Sequence, residues 1–258
     1  MFNLENFDLK LDTDFIGRNF YYIKEVDSTN DFLMKSDEIK EHGSVVLAEN
    51  QLKGKGRNGR TWTTVSEKNL TFSVLLNEDL QKINISLLNF AASLSVGNAL
   101  ENLFQFDINL KWPNDVLVKQ KKISGILTET VSKSNKIQKA VIGIGINVNQ
   151  PTFPEKFLIT PTSCRIELKR EVSRERLLSE TLNMLEENLT LLRYNPKEVL
   201  NSWRNKCKMI GSKVKITQDK EVIVGKFIDI DENGYLVLLR NEIEEKIHYG
   251  DVVSLREQ

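Results

Sequence analysis

Hydrophobic residues follow two different periods along this 258-residue chain. Residues 20–26 (FYYIKEV), 44–49 (SVVLAE) and 70–76 (LTFSVLL) are short runs rich in β-branched and aromatic residues, which predicts strands. Between the first two, Ser28-x-x-Asp31 has the form of a helix start. The stretch 85–104 is rich in Leu, Ala and Phe with few breakers, which predicts a buried helix. Short strands follow near 107–111, 115–119, 122–130 and 138–148. Ser173 then caps a helix running to about Arg193. Its Leu178, Leu182, Leu185, Leu189 and Leu192 fall at alternating spacings of four and three and form one apolar face. Pro196 opens a second, shorter helix that carries Trp203.

The pattern changes near Gly211. From there only short strands are predicted (KVKIT, VIVGKFIDI, YLVLLR, EIEEKIH and DVVSLR, the last over 251–256), with turns at Asp231-Glu232-Asn233-Gly234 and Arg240-Asn241-Glu242. Such a segment suggests a small β-barrel, SH3-like or OB-like. Over 211–258 it holds seven Lys and Arg against ten Asp and Glu. Binding to a phosphate backbone needs the opposite balance, so a packing or partner module is the expectation. The fold expected is α+β, with a mixed β-sheet domain and flanking helices over 1–209 and the barrel over 210–258.

Charge adds a constraint. Lys and Arg number 36, as do Asp and Glu, so no global field draws the chain to nucleic acid or membrane. Any anion site must be a local cluster. Two cysteines (Cys164, Cys207) and two histidines (His42, His248) make neither a disulfide framework nor a zinc motif. No apolar run approaches the roughly 18 residues of a membrane span. The polar, acidic start MFNLENFDLKLDTDF does not read as a signal peptide. A reduced, cytoplasmic setting is expected.

The cations do concentrate at residues 53–60, Lys-Gly-Lys-Gly-Arg-Asn-Gly-Arg. Glycines let a backbone approach a ligand and turn N–H groups toward an anion. Phosphate binding and a solvated surface loop both fit this cluster taken alone. Gly54-x-Gly56-x-x-Gly59 imitates a dinucleotide fingerprint, and Gly54-x4-Gly59-Arg60-Thr61 nearly imitates a P-loop. Both motifs require a helix directly afterwards. Here Trp62-Thr63-Thr64-Val65 follows, which argues against each.

Five segments taken in order say more. They are Asp27-Ser28-Thr29-Asn30, Gln51 to Trp62 (QLKGKGRNGRTW), Lys111-Trp112-Pro113-Asn114-Asp115, Lys122-Ile123-Ser124-Gly125-Ile126 and Gly143-Ile144-Gly145-Ile146-Asn147. This set resembles the biotin protein ligases from about residue 16 onward. The resemblance implies the class II synthetase-like biotin ligase fold. It further implies ATP and biotin as substrates with Mg²⁺, and transfer of biotin to a lysine on a biotin carrier domain. Only 27 residues precede Ser28, so the resemblance is to the monofunctional type without an N-terminal DNA-binding domain, with no DNA or membrane partner. Family members often form homodimers, so the resemblance allows a homodimer without fixing the oligomeric state. The chain departs from the bacterial pattern at Lys55 and Asn58, where arginines are common, and at Leu52, where Thr is usual, which lowers the charge of the loop.

What the family implies residue by residue follows its chemistry. Biotin's carboxylate must attack the α-phosphate of ATP, and two like charges about 4 Å apart repel by roughly 4 kcal/mol at a surface-like dielectric. By resemblance Lys122 is the cation placed between them, and Arg57 with the 53–60 loop closes over the ligands. Ser28, Thr29, Gln51, Gly54, Lys55, Arg57, Lys122, Gly125 and Gly145 are implied for biotin. Arg57, Arg60, Trp62, Asn69, Lys111, Asn114, Lys122 and Asn147 are implied for ATP. Asp115 either holds Mg²⁺ or orients the incoming lysine amine. Plainer readings stand beside these. Lys121 and Lys122 suit a solvated turn, Ser28 suits a helix cap, Trp112-Pro113 a structural turn, Trp62 and Trp203 core residues, and Gly143 with Gly145 a strand bulge. Lipoate or octanoate ligases share the fold and are the enzymatic rival. A nucleic-acid-binding module is the other.

Overall fold

The protein was analysed as a computed structural model that describes residues 2–134, 136–154, 157–219 and 221–255. In chain order its elements are α1 (Leu4–Asp8), β1 (Phe20–Val26), α2 (Thr29–Lys35), β2 (Val45–Gln51) and β3 (Leu70–Leu76). Then come α3 (Leu88–Phe104), β4 (Ile108–Lys111), β5 (Asp115–Val118), β6 (Lys121–Lys133) and β7 (Lys136–Ile146). Helices α4 (Cys164–Leu168), α5 (Arg174–Tyr194) and α6 (Pro196–Lys206) follow. Strands β8 (Lys213–Gln218), β9 (Glu221–Ile230), β10 (Leu236–Arg240), β11 (Ile243–Ile247) and β12 (Asp251–Ser254) complete the order.

Strands β1 to β7 form one sheet in the order β1-β2-β3-β7-β6-β5-β4. Only β1 and β2 run parallel, because only they are joined by a crossover through α2. The other neighbours are antiparallel, so the sheet is mixed, as expected. Alternation along β3 explains the two faces. Leu70, Phe72, Val74 and Leu76 enter the large core with α3, α5 and α6, while Leu75 joins Leu33 of α2, Val46 and Val141 on the other face. Thr71 and Ser73 share that second face by the same alternation.

Helix α5 begins where Ser173 accepts a hydrogen bond from the Arg176 N–H at 3.1 Å. It buries the predicted leucine face, with Leu178, Leu182 and Leu185 fully enclosed. Pro196 sits in the first turn of α6, where its missing N–H is harmless. Trp203 is core, with its indole N–H donating to Ser93 Oγ at 3.2 Å. Two short helices, α1 and α4, lie in segments for which the apolar pattern predicts no element. Each is a five-residue turn capped by a side chain (Asn3, Ser163), too short to show a period.

The C-terminal strands pair antiparallel in the order β11-β10-β9-β8-β12. This corrects the expected barrel. Among the described residues no ladder joins β11 to β12, so the five strands form an open sheet. The last strand ends at Ser254, and Arg256 of the predicted 251–256 run lies outside the described residues. Among the described residues no helix is long and apolar enough to cross a membrane. The C-terminal strands are tied to the rest of the chain by the Trp112 indole N–H, which donates to the Gly234 carbonyl at 2.9 Å, and by Arg204 of α6, which donates to Asp229 at 2.7 Å.

One buried ion pair ties these layers beside the site. Arg174, at the first turn of α5, grips Glu49 of β2 with two hydrogen bonds of 2.5 and 2.9 Å. Its side chain is 6% exposed and that of Glu49 is 4%. Glu49 also accepts from the Tyr22 hydroxyl at 2.7 Å and the Glu67 N–H at 3.1 Å. Arg174 further donates to the Asn69 carbonyl at 3.2 Å. Burial alone would raise the Glu49 carboxyl, but its bonds from Arg174 and Tyr22 outweigh that and hold it below the usual range. Burial and the bond to Glu49 push the Tyr22 phenol up to about 12.

Glu49→Ala should therefore lower unfolding stability by about 3–5 kcal/mol, since Arg174 would stay buried without its partner. Denaturant titration measures this. A depressed carboxyl contributes its full stability above the ordinary value of about 4.3 and loses it as pH falls through the lower folded value. The wild-type chain should accordingly lose more stability than Glu49→Ala over that acid range.

Candidate active site

The residues singled out in the sequence converge on the second face of the large sheet. Antiparallel register places Thr71 opposite Gly145, Gly145 opposite Gly125 and Gly125 opposite Asp115. This row crosses four strands at about 4.8 Å each, and its two central positions carry no side chain. It forms a shelf. The indole of Trp62 lies on it, and a Cβ on Gly145 would collide with the Trp62 ring. A Cβ on Gly125 would come within 3.0 Å of Lys122 Nζ and 3.2 Å of Trp62 Cζ3. Close approach, rather than an unusual backbone angle, is what requires glycine here.

Two pockets open from this shelf. The first, of about 40 Å³, is lined by Ser28, Thr29, Gln51, Thr71, Trp62 and Gly145 among others. Its polar side chains are largely bound to one another. Thr29 donates from both its backbone N–H (2.7 Å) and its hydroxyl (3.1 Å) to Gln51 Oε1. Ser73 Oγ lies 2.7 Å from Thr29 Oγ1 and 2.6 Å from Asn30 Oδ1. Ser28 caps α2 by accepting from the Asp31 N–H at 3.4 Å and lines the pocket as well. It thus combines the structural reading with the position expected of a binding residue.

The second pocket, of about 160 Å³, is lined by Arg57, Arg60, Trp62, Lys111, Asn114, Asp115, Lys122 and Asn147, with an apolar wall of Phe153, Phe157, Leu158, Ile159 and Pro161, and with Asp251 from the C-terminal sheet. Gly56 and Trp62 border both pockets. Lys122 lines the second pocket beside Gly125 of the first, with its Nζ 2.6 Å from Asp115 Oδ1. Lys111, on the other side, lies 4.0 Å from Asp115 Oδ2. Burial pulls the Lys111 ammonium below its ordinary value. Asp115 partly restores it, and Lys122 lowers it further. Burial likewise lowers Arg57, whose Nη1 donates to Asn114 Oδ1 at 3.4 Å. Arg60 is paired with Asp251, 191 residues away. That bond outweighs the burial that would raise the Asp251 carboxyl, and holds it below the usual range.

The loop from Gly54 to Trp62 folds back on itself, with Trp62 N–H donating to Gly54 O at 3.0 Å and Gly56 N–H to Arg60 O at 2.7 Å. A side chain on Gly54 would strike the Trp62 carbonyl, so this glycine spaces the loop rather than lining a pocket. Two of the four loop cations point away from the larger pocket. Lys53 pairs with Asp27 at 2.8 Å, and Lys55 pairs with Asp31 and lies 3.6 Å from Glu129. Arg57 and Arg60 supply its positive wall. Asn69 is not brought to either pocket. Its amide donates to Gln150 at 2.6 Å and its oxygen accepts from the Val148 N–H at 3.0 Å, so it braces the strand ends behind the site. Trp112 is 1% exposed and joins the two sheets, whereas Lys111, Asn114 and Asp115 around it face the pocket.

Sequence reasoning missed three parts of the site. Thr71 was visible in the alternation of LTFSVLL, whose Thr and Ser fall on one face. The apolar wall, with Phe153 and Phe157 rings 6.4 Å apart, sits in an irregular segment without a period. Asp251 comes from a strand whose register over the site no local pattern records.

A divalent metal does not fit this donor set as a resident ion. Among the described residues no three His, Cys, Asp or Glu groups gather at metal-ligand range. Each oxygen of Asp115 already faces an ammonium.

Comparison with known proteins agrees with this geometry. The Biotin/lipoate A/B protein ligase family model matches residues 22–147, and the Biotin protein ligase C terminal domain model matches 209–254. The biotin--[acetyl-CoA-carboxylase] ligase of Mycobacterium tuberculosis is 32% identical over 83% of this chain and 80% of its own. The chain belongs to the biotin protein ligase family. Within that family it is also similar to the bifunctional ligase/repressor BirA of Bacillus subtilis, 27% identical over 94% of this chain and 76% of that protein. The structure of the Aquifex aeolicus biotin protein ligase in complex with biotin and ATP superposes with a TM-score of 0.79 at 33% identity. It covers 93% of this chain and 100% of that one.

Gly145→Ala tests the shelf. The added methyl should force the Trp62 indole off the sheet, lowering stability by about 1–3 kcal/mol. The check is a blue-to-red shift of tryptophan emission as the half-buried ring meets water. An unshifted spectrum would contradict the contact.

Proposed function

We propose that this chain activates biotin with ATP and passes it to a lysine of an acceptor protein. The observation that carries this reading is the seam. A polar pocket and a cationic pocket with an apolar wall share Gly56 and Trp62, and Lys122 of the cationic pocket lies within 3.0 Å of where a Cβ on Gly125, in the floor of the polar one, would stand. In the first step a carboxylate oxygen of biotin attacks the α-phosphorus of ATP. The bond from that phosphorus to the bridging oxygen breaks, and pyrophosphate leaves. Lys122 lies where the two anions meet and offsets their repulsion, worth roughly a thousandfold in rate if left unscreened. Arg57 and Lys111 face the same phosphate region, and Trp62 with the loop keeps water from the mixed anhydride.

In the second step a neutral lysine amine of the acceptor, a biotin carrier domain, attacks the acyl carbon. The carbon–oxygen bond to AMP breaks, AMP departs, and the proton lost by the amine nitrogen passes to solvent. Asp115 stands beside Lys122 and Lys111 at this point. Of its two expected roles, orienting the amine suits it better than holding a metal, and Mg²⁺ belongs to the ATP substrate in this reading. The division of labour proposed is catalytic chemistry over 1–209 and completion of the nucleotide pocket by 210–258, through Asp251.

ATP–pyrophosphate exchange tests the first step. Exchange is expected with biotin and not with lipoate or octanoate. Exchange with either of the latter would move the chain to the neighbouring activity. Lys122→Ala should abolish exchange while thermal unfolding stays near wild type. Full activity in that variant would remove its assigned role. Arg57→Ala should release biotinyl-AMP into solution, and chromatography of bound and free nucleotide would detect it.

A further inference from the structure

Two polar atoms in the smaller pocket are buried without a partner among the described residues, the Thr71 hydroxyl and the Trp62 indole nitrogen. Thr71 is 5% exposed. It stands at the end of the glycine shelf, directly opposite Gly145, so no neighbouring side chain on that row can reach it. The side-chain oxygens of four neighbours are already paired. Thr29, Gln51, Ser73 and Asn30 form one chain of hydrogen bonds, which Asn30 extends to the Leu127 carbonyl at 3.1 Å and to Glu129 at 2.8 Å. A buried hydroxyl outside such a chain is destabilising unless something arrives to pair with it.

We propose that Thr71 is a specificity-determining residue, its hydroxyl oxygen accepting a ring N–H of the bound acid. This deepens the biotin reading and rests on it. The ureido ring of biotin carries two N–H donors and one carbonyl acceptor. The dithiolane head of lipoate and the alkyl tail of octanoate carry neither, and either would leave Thr71 buried and unpaired. Sites built to hydrogen-bond a group discriminate strongly against analogues that lack it, because their own polar groups are then stranded. Thr71 therefore selects by the penalty it imposes on the wrong head as well as by its bond to the right one.

The test uses the full chain with Thr71→Val and Thr71→Ser in pyrophosphate exchange, together with thermal unfolding with and without biotin. Thr71→Val keeps the branched shape and removes the hydroxyl. The KM for biotin should rise about tenfold, and the preference for biotin over lipoate should fall by a similar factor. The melting temperature without biotin should hold or rise, because an unpaired buried hydroxyl has gone, while the upward shift that biotin produces should shrink. Thr71→Ser retains the hydroxyl and should restore the KM. Exchange by the wild-type chain with an unaltered KM in Thr71→Val would overturn the assignment and leave the biotin reading intact. A lower melting temperature in Thr71→Val without a change in biotin preference would also overturn it, in favour of a packing role. No exchange by the wild-type chain with biotin would overturn the reading and the assignment together.

Discussion

The Glu49–Arg174 pair is the clamp on which the site depends. Residues 52–69, between the end of β2 at Gln51 and the start of β3, leave the sheet as one long excursion that carries the glycine-rich loop and Trp62. Its departing strand ends beside Glu49, and its return passes Glu67 and Asn69, both hydrogen-bonded to the same pair. A loop this rich in glycine has much conformational freedom to lose. Fixing both ends of its stem to the first turn of a buried helix restricts where its tip can go. Removing either charge would leave the other stranded in the interior, so the clamp is held by the penalty for breaking it as much as by its attraction.

A second theme is that the cations of the site are already spoken for. Lys53 faces Asp27, Lys55 faces Asp31, Arg60 faces Asp251 and Lys122 faces Asp115. This reconciles a chain of zero net charge with a site suited to phosphates. An incoming polyanion gains contact with Arg60 and Lys122 only in competition with Asp251 and Asp115. Its net attraction is the difference between two similar interactions rather than a full Coulomb term. Such a balance suits a site that must release pyrophosphate and AMP.

The fold was legible where apolar periodicity was strong. The strands β1 to β7 and the helices α3, α5 and α6 appear close to the positions read from sequence, because each buries a continuous face. The leucines of α5 are the clearest example. The expected barrel was not borne out, since strand pattern predicts strands but not whether the outermost pair closes the ring. At the site, glycine spacing and the Lys122 segment located the floor and the cation, and the structure brings them together. It does not bring Asn69 there. An asparagine at a strand end looks the same in sequence whether its amide turns to a ligand or to Gln150. Asp251 reaches the larger pocket through a contact with Arg60, 191 residues distant in sequence, which no local pattern encodes.

The glycine shelf has a consequence for how this pocket can be lost. Its floor exists because Gly143 and Gly145 occupy one parity of β7 while Ile142, Ile144 and Ile146 occupy the other. Side chains in a strand exchange faces when the count shifts by one. Deleting a single residue of β7 upstream of Gly143 would bring isoleucines onto the ligand side and glycines into the core, filling the cavity and hollowing the interior at once. The pocket is thus written less in which residues are present than in whether their positions are odd or even.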